Sequence, residues 1–176
     1  MPEADEEGFS GSRLNDDIFL VLERDGCTAK DVSAFLSQAG DAFNIDRQSN
    51  SGLTCLGQSI ALGLEKGVIQ ALVQQGFADV NMLQRGQTAL QMACVEKRGD
   101  LVEYLLSRKA LYPNIANPEG STALHTAIAK GGPVILSLLL HNQKVNVNSC
   151  QARSSKMIFN KTCVAFQAIL LGEQTD

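Results

Sequence analysis

The chain has 176 residues, of which 44% are hydrophobic and 5% aromatic, and its formal net charge is −4. This composition is typical of a globular protein with an aliphatic core. The acidic balance argues against a nucleic-acid-binding surface, because affinity for phosphates depends on clustered Lys and Arg. No apolar run reaches the roughly 18 residues that a transmembrane helix needs, so we expect no membrane span.

The first residues, MPEADEEGFSGSR, are acidic where a secretory signal would be basic and then apolar. We therefore expect residues 1–13 to form a disordered acidic tail. The cysteines are widely spaced and include no C-x-x-C pair, which favours buried thiols over disulfides or a zinc site. They are Cys27, Cys55, Cys94, Cys150 and Cys163. Both features predict a cytoplasmic location, with the nucleus as the alternative.

Two helices are predicted directly after the tail. The first runs from Asn15, the expected N-cap, to about Arg24. The second begins at a capping box formed by Thr28 and Asp31 and ends near Gly40. A loop over residues 44–53 then leads to the next predicted helix.

Three further helix pairs are predicted from apolar periodicity. Their helices cover 54–64 and 68–75, 88–96 and 100–107, and 122–130 and 133–141. Gly57 and Gly63 lie inside the first of these helices, at a cost of about 1 kcal/mol each. Gly76 is the expected left-handed residue after 68–75. Pro133 suits a first helical position because its missing N–H would have no helical partner there.

The helix pairs repeat with a period of 34 residues. Equivalent positions are Gly52, Gly86 and Gly120, then Thr54, Thr88 and Thr122, and then Leu56, Leu90 and Leu124. Asn81, Asn114 and Asn148 close the units. The segment Gly120-Ser-Thr-Ala-Leu-His-Thr-Ala127 resembles the G-x-T-P-L-H-x-A pattern of the ankyrin repeat. Ala78-Asp-Val-Asn81 is similar to the segment that closes that repeat.

The resemblance implies an all-α fold, an ankyrin-repeat solenoid of stacked helix-turn-helix units with short β-hairpin loops. About four repeats plus a truncated fifth would make one domain over residues 14–176. Its parts would be a degenerate N-terminal cap at 14–50, repeats at about 51–84, 85–118 and 119–150, and a truncated C-terminal repeat at 151–176. A terminal repeat is expected to be atypical because one of its faces meets water.

No catalytic site, cofactor or metal ion is predicted. His125 occupies the His position of the ankyrin pattern, which the resemblance implies is a structural hydrogen-bonding residue. His141 ends a helix, where a cation meets the helix dipole favourably. The positions equivalent to His125 carry Gly57, Gln91 and Ala165, which argues against a regular hydrogen-bond network.

Stacked repeats without a reaction centre generally bind other proteins on an extended surface. The resemblance places Leu53, Gln87 and Ser121 on that surface, together with the ends of the first helices at Leu62, Glu96 and Lys130. Apolar side chains at the loop tips either contact a partner or fold back onto neighbouring tips, and both alternatives stay open. The tip candidates are Met82, Leu83, Arg85, Ile115, Asn117 and Glu119. A second candidate patch at the C-terminal end contains Met157, Phe159 and Phe166.

We therefore predict a non-catalytic protein–protein interaction module. The small size and the lack of an appended domain resemble the ankyrin-type inhibitors of cyclin-dependent kinases and a small insect cell-cycle regulator. That resemblance implies a regulatory subunit or inhibitor of a kinase or cell-cycle complex. The alternatives are a general signalling or transcriptional adaptor, and a structural protein that self-associates through its apolar C-terminal helix. The expected partner is another protein, rather than nucleic acid or a membrane.

Overall fold

The computed structural model describes residues 11–40 and 43–147, and the chain divides into two compact units, Met1–Ala78 and Asp79–Asp176. Over the described ranges the regular secondary structure is helical, without a strand. The helices are α1 Gly11–Leu22, α2 Ala29–Ala39, α3 Cys55–Ala61, α4 Lys66–Gln74, α5 Ala89–Val95, α6 Gly99–Ser107, α7 Ala123–Thr126 and α8 Pro133–Leu140. One π-helical turn, Ala127–Gly131, continues α7.

In the first unit, α1 packs against α2 and α3, and α4 packs against α2 and α3. The aliphatic side chains between these helices are almost fully buried: Ile18, Leu22, Val32, Leu56, Ile60, Ile69 and Leu72. The capping box of α2 is present as predicted, since the Thr28 N–H donates to Asp31 Oδ2 over 2.9 Å. The helix ends at Gly40, whose φ of 61° places it in the left-handed region.

The start of α1 differs from its prediction. The helix begins at Gly11 and Asn15 lies inside it, so Asn15 is not the N-cap. An Asn in a helix interior costs only about 0.5 kcal/mol relative to Ala, which does not stop a helix that packs against neighbours. Residues 11–13 consequently belong to α1 and not to the predicted tail, whose other residues, 1–10, lie outside the described part of the chain.

Two glycines of the first unit also act differently from their predictions. Gly63 is not inside a helix: α3 ends at Ala61, and Gly63 follows with a φ of 67°. After α4 the left-handed residue is Phe77, with a φ of 55°, rather than Gly76. Gly76 is needed for space, because a Cβ there would overlap Ile45 Cδ1 and lie 2.9 Å from the carbonyl oxygen of Leu72.

In the second unit, α5 packs against α6 and α7, and α8 packs against α6 and the π-helical turn. Its buried core consists of Leu90, Leu101, Leu105, Leu124, Ile135 and Leu139. Pro133 is the first residue of α8, as predicted. The π-helical turn was not predicted, and its last residue, Gly131, leaves little room for a side chain, because a Cβ there would lie 3.2 Å from Ile135 Cγ2 and 3.3 Å from Ala127 Cβ.

The threonines that define the sequence period are the N-caps of α3, α5 and α7. Thr54, Thr88 and Thr122 each have an extended backbone directly before their helix, and each is almost fully buried. This confirms that equivalent sequence positions begin equivalent helices.

Candidate protein-binding surface

The threonine caps are completed by the side chain three residues further on. Thr88 N–H donates to Gln91 Oε1 over 2.9 Å, and Gln91 Nε2 donates to the Ser121 carbonyl oxygen over 2.6 Å. One buried amide therefore fixes the start of α5 and also holds the loop that precedes α7.

His125 has the same local role at the start of α7. Thr122 N–H donates to His125 Nδ1 over 3.1 Å, so the structural role predicted for this histidine is confirmed. The prediction of an irregular network was wrong for Gln91, because an amide supplies both the acceptor and the donor that the position needs. Gly57 has no side chain to accept from Thr54, and its backbone N–H donates to Thr54 Oγ1 over 3.4 Å, as Gln91 N–H does to Thr88 Oγ1 over 3.3 Å.

The titratable groups of these helices are held in structural roles. Burial raises the pKa of the Cys55 and Cys94 thiols to about 12, so neither thiol is a nucleophile near neutral pH. Burial also lowers the pKa of His125. His141 donates from Nδ1 to the Ser137 carbonyl oxygen over 2.8 Å at the end of α8. In the described ranges no three His, Cys, Asp or Glu side chains are grouped closely enough to bind a metal ion.

Two asparagines join successive loops of the second unit. Asn81 Nδ2 donates to the Ala110 carbonyl oxygen, and Asn81 Oδ1 accepts from Tyr112 N–H, both over 2.8 Å. Asn114 repeats the arrangement one unit later, with Lys144 and Asn146, over 2.7 Å each. The asparagines that close the sequence units thus hold each loop to the next.

The loop tips are tight turns, and the β-hairpins predicted for them are not confirmed. In the described chain the one antiparallel bridge joins Gln84 and Gln87, which exchange hydrogen bonds of 2.8 and 2.9 Å around Arg85 and Gly86. Both intervening residues have positive φ, 49° and 75°, as a two-residue turn of type I′ requires. The next tip has one more residue between its ends, Asn117 and Ser121, which are joined by a 2.8 Å hydrogen bond.

The candidate side chains of the second unit lie at these two tips. Leu83 is 39% exposed and Met82 is half-buried in the first tip, where Arg85 is exposed. In the second tip, Ile115 and Asn117 are half-buried and Glu119 is exposed. The tips pack on each other, since a Cβ on Gly86 would lie 3.2 Å from Pro118 Cδ. Met82 and Ile115 are thus less accessible than Leu83, which keeps an exposed apolar side chain.

The remaining predicted surface residues divide into four groups: half-buried, exposed, buried, and outside the described residues. Gln87 and Ser121 are half-buried at the bases of the tips, and Glu96 is exposed at the opposite end of α5. Leu53 is only 3% exposed, so its placement on the surface was wrong: an apolar leucine replaces the polar residues of the equivalent positions and is buried. Leu62 and Lys130 are exposed as expected. Met157, Phe159 and Phe166 lie outside the described residues.

Exposed aromatic side chains were missed by the sequence reasoning. Tyr112 is 68% exposed and Phe77, in the first unit, is 83% exposed. Tyr112 occupies the place that Asp79 has in the preceding repeat, so aligning the units residue by residue would have shown an aromatic at a polar position. Phe77 follows Gly76 directly, and the equivalent position carries Ala110.

No helix within 11–40 or 43–147 has both the length and the apolar character that crossing a membrane demands. The paired short helices, the capped starts and the loops tied by asparagines define the class of stacked helical-repeat proteins. A family model described as "Ankyrin repeats (3 copies)" matches residues 24–117 and 61–151, which is well over half of the chain. The chain belongs to the ankyrin-repeat family, whose repeats are in general non-catalytic modules that bind other proteins.

Among curated proteins, the chain is similar to the nuclear factor NF-kappa-B p105 subunit of Gallus gallus. The two are 32% identical over 85 residues, which is 47% of this chain and 8% of the relative. The match therefore spans less than a tenth of the length of that relative.

Proposed function

We propose that this chain regulates a kinase or cell-cycle complex, as its subunit or inhibitor, by binding one component without catalysing a reaction. The observation that carries the proposal is Leu83, an accessible leucine at a loop tip whose backbone is fixed by the Gln84–Gln87 turn. A partner that covered this side chain would gain apolar burial at little cost in ordering the loop.

Charged side chains around the tip would give the contact its specificity. Arg85 and Glu119 are exposed on neighbouring tips, and Glu96 is exposed at the far end of α5. In this proposal Met82 and Ile115 support Leu83, and Gln87, Asn117 and Ser121 form a polar rim. Interfaces commonly combine such an apolar centre with a polar rim.

The assignment to kinases and the cell cycle is supported by a resemblance to other ankyrin-repeat proteins. The supporting resemblance is that of the repeats to those of the ankyrin-type kinase inhibitors and of plutonium, a small insect cell-cycle regulator. The location proposed with it is the cytoplasm, with the nucleus as the alternative. About four repeats and a truncated fifth remain part of the proposal.

Affinity purification of the tagged chain from native extract, read by mass spectrometry, tests this proposal. We expect recovery of a kinase or cell-cycle component, and we expect Leu83→Asp to remove it. Recovery of unrelated proteins alone would refute the assignment to a kinase or cell-cycle complex. Equal recovery of the partner by wild type and Leu83→Asp would refute the role of Leu83.

A second candidate function is a signalling or transcriptional adaptor. The 32% identity to a relative named as a subunit of a nuclear factor favours it. The same purification distinguishes the two, because an adaptor of this kind would recover components of a transcription-factor complex in place of a kinase.

A third candidate is self-association through Met157, Phe159 and Phe166. The apolar sequence of this segment supports it. Light scattering of the purified chain tests it. A dimer that Phe159→Asp with Phe166→Asp converts to monomer would support self-association, and a wild-type monomer would exclude it.

A further inference from the structure

A groove with mixed apolar and basic walls lies beside the loop that follows α6. It has a volume of about 420 Å³ and is lined by Lys109, Leu111, Tyr112, Pro113, Ile115 and Lys144. Leu111 and Pro113 are buried and form its apolar wall, while Tyr112 and both lysines are exposed. None of the predicted contact residues except Ile115 belongs to it.

The groove is rigid because hydrogen bonds connect its two walls. Asn114 donates to the Lys144 carbonyl oxygen and accepts from Asn146 N–H, each over 2.7 Å. Lys144 Nζ donates to the carbonyl oxygens of Arg108 and Lys109 over 3.4 Å each. The two shorter bonds of Asn114 join the loops before any ligand binds, which reduces the ordering cost of binding, and the Lys144 ammonium group lies at the rim.

The charge of the groove is opposite to that of the whole chain. Among the described residues no Asp or Glu lines the groove, and neither lysine forms an ion pair with a carboxylate there. The formal net charge of the chain is nevertheless −4. Two unneutralised lysines beside an exposed tyrosine therefore form a local site for a group that is both anionic and apolar.

We propose that this groove binds a short acidic segment of a partner protein, with one aromatic or large aliphatic side chain between its carboxylates. The apolar side chain packs against Tyr112 and Pro113, and the carboxylates pair with Lys109 and Lys144. The volume accommodates only a few side chains, so the segment binds in an extended form. The inference rests on the proposed protein-binding function and gives it a second contact site and the chemistry of the partner.

The test uses the full chain and a fluorescein-labelled heptapeptide with one central phenylalanine and three glutamates on each side. Fluorescence anisotropy should show saturable binding. Tyr112→Asp should weaken it about tenfold, because an aromatic contact is lost and a repelling charge is gained. This variant should fold, since Asp79 occupies the equivalent place in the preceding repeat. Lys144→Ala should weaken binding about threefold, as expected for one exposed ion pair.

Lys30→Ala is the matched control, because it removes an exposed lysine of α2 that lies outside the groove, and it should leave binding unchanged. A peptide with glutamine in place of glutamate, and one with serine in place of phenylalanine, should each bind more weakly. Equal binding by wild type and Tyr112→Asp would overturn the proposal. So would the absence of saturable binding, or complete displacement of the peptide by inorganic phosphate at constant ionic strength.

The partner-purification experiment separates failure of the groove from failure of the proposed function. The double variant Tyr112→Asp/Lys144→Ala is compared with wild type for recovery of an identified partner. Equal recovery would contradict the proposal that the groove binds the partner, and it would leave the proposed regulatory function intact. If the heptapeptide binds as expected but no protein is recovered from the extract, the groove is supported and the proposed regulatory function is not.

Discussion

At the residue scale, the side chain three residues after each capping threonine determines how well the first turn of the following helix is stabilised. Gln91 and His125 both accept a hydrogen bond from the backbone N–H of their threonine, although their side chains differ. Gln91 also reaches the next loop through Ser121. The requirement is therefore for an acceptor at the right distance, and histidine and glutamine both satisfy it.

Replacing Gln91 should accordingly separate these roles. Gln91→Ala removes the acceptor for Thr88 N–H and the donor to Ser121, and leaves buried polar groups unsatisfied. We expect the free energy of unfolding to fall by about 2 kcal/mol. Gln91→His should lose less than half of that, since His125 forms the same cap. Urea denaturation followed by circular dichroism measures both, and equal losses for the two variants would contradict the explanation.

A second prediction concerns the pH dependence of stability. Burial lowers the pKa of His125 from its ordinary value of 6.5. The unfolded chain therefore takes up this proton at a higher pH than the folded chain does. Above pH 6.5, neutral His125 makes its full contribution to the free energy of unfolding. This contribution is lost as the pH falls through the lower pKa that His125 has in the folded chain.

His125→Gln should remove this component, because the amide that serves at Gln91 does not titrate. Urea midpoints measured at a series of pH values below 6.5 should fall more steeply for wild type than for the variant. The pKa values of Asp31 and Asp100 are lowered from 3.8 by their hydrogen bonds to Thr28 and Arg98, so these carboxylates act in a more acidic range. If the urea midpoints of wild type and His125→Gln fell in parallel with decreasing pH, the assignment of this pH dependence to His125 would be refuted.

At the element scale, the residues with a strained, positive-φ backbone lie in the connections between helices. The residue that ends α3 in the left-handed region is Gly63, whereas Lys97 takes that conformation after α5, with a φ of 55°. Phe77 and Arg85 are the other described residues that are not glycine and have positive φ. A side chain in this region generally costs about 1 kcal/mol relative to glycine.

Lys97→Gly should therefore stabilise the chain by about 1 kcal/mol, measured as a higher urea midpoint at unchanged slope. Glu96→Gly is the matched control: its φ is −77°, so the added freedom of the unfolded chain should lower stability instead. A loss of stability in Lys97→Gly would show that its side chain makes a contact worth more than the strain.

The differences between tips also belong to this scale. Gly86 and Gly120 are 34 residues apart, but Asn81 and Asn114 are 33 apart. The missing residue lies in the tip, which becomes a two-residue turn and places Arg85 at a φ of 49°. The sequence contained this information, because the two spacings disagree by one residue within one loop.

At the scale of the whole molecule, the spacing of threonines, leucines and asparagines was enough to predict helix starts and the family. Pro133 was enough to place the start of α8. The π-helical turn at 127–131 was not predictable, because apolar periodicity does not distinguish a turn widened by one residue from a regular one. Leu53 was misplaced because its equivalents, Gln87 and Ser121, are polar and half-buried.

The candidate binding surface was only partly predictable. Met82 and Leu83 were proposed because apolar residues are unusual at a tip, and that reasoning needs only the sequence. The groove was not predicted because Tyr112 and Lys144 lie in different repeats, whose loops are joined by hydrogen bonds of Asn114 and Lys144 that the sequence does not show. A sequence pattern gives the position of each loop within its own repeat, but it does not give the distances between side chains of different loops.

The central claim is that this chain acts by covering a partner surface with an apolar loop tip. Isothermal titration calorimetry of the purified chain against its recovered partner tests it most directly. Leu83→Asp should weaken the affinity at least about tenfold, because a charge would have to be buried in the interface. Leu20→Asp is the matched control, since Leu20 is 63% exposed and lies in α1. The account predicts that Leu20→Asp binds as wild type does. Equal affinities for wild type and Leu83→Asp, with both proteins equally stable in urea, would contradict it.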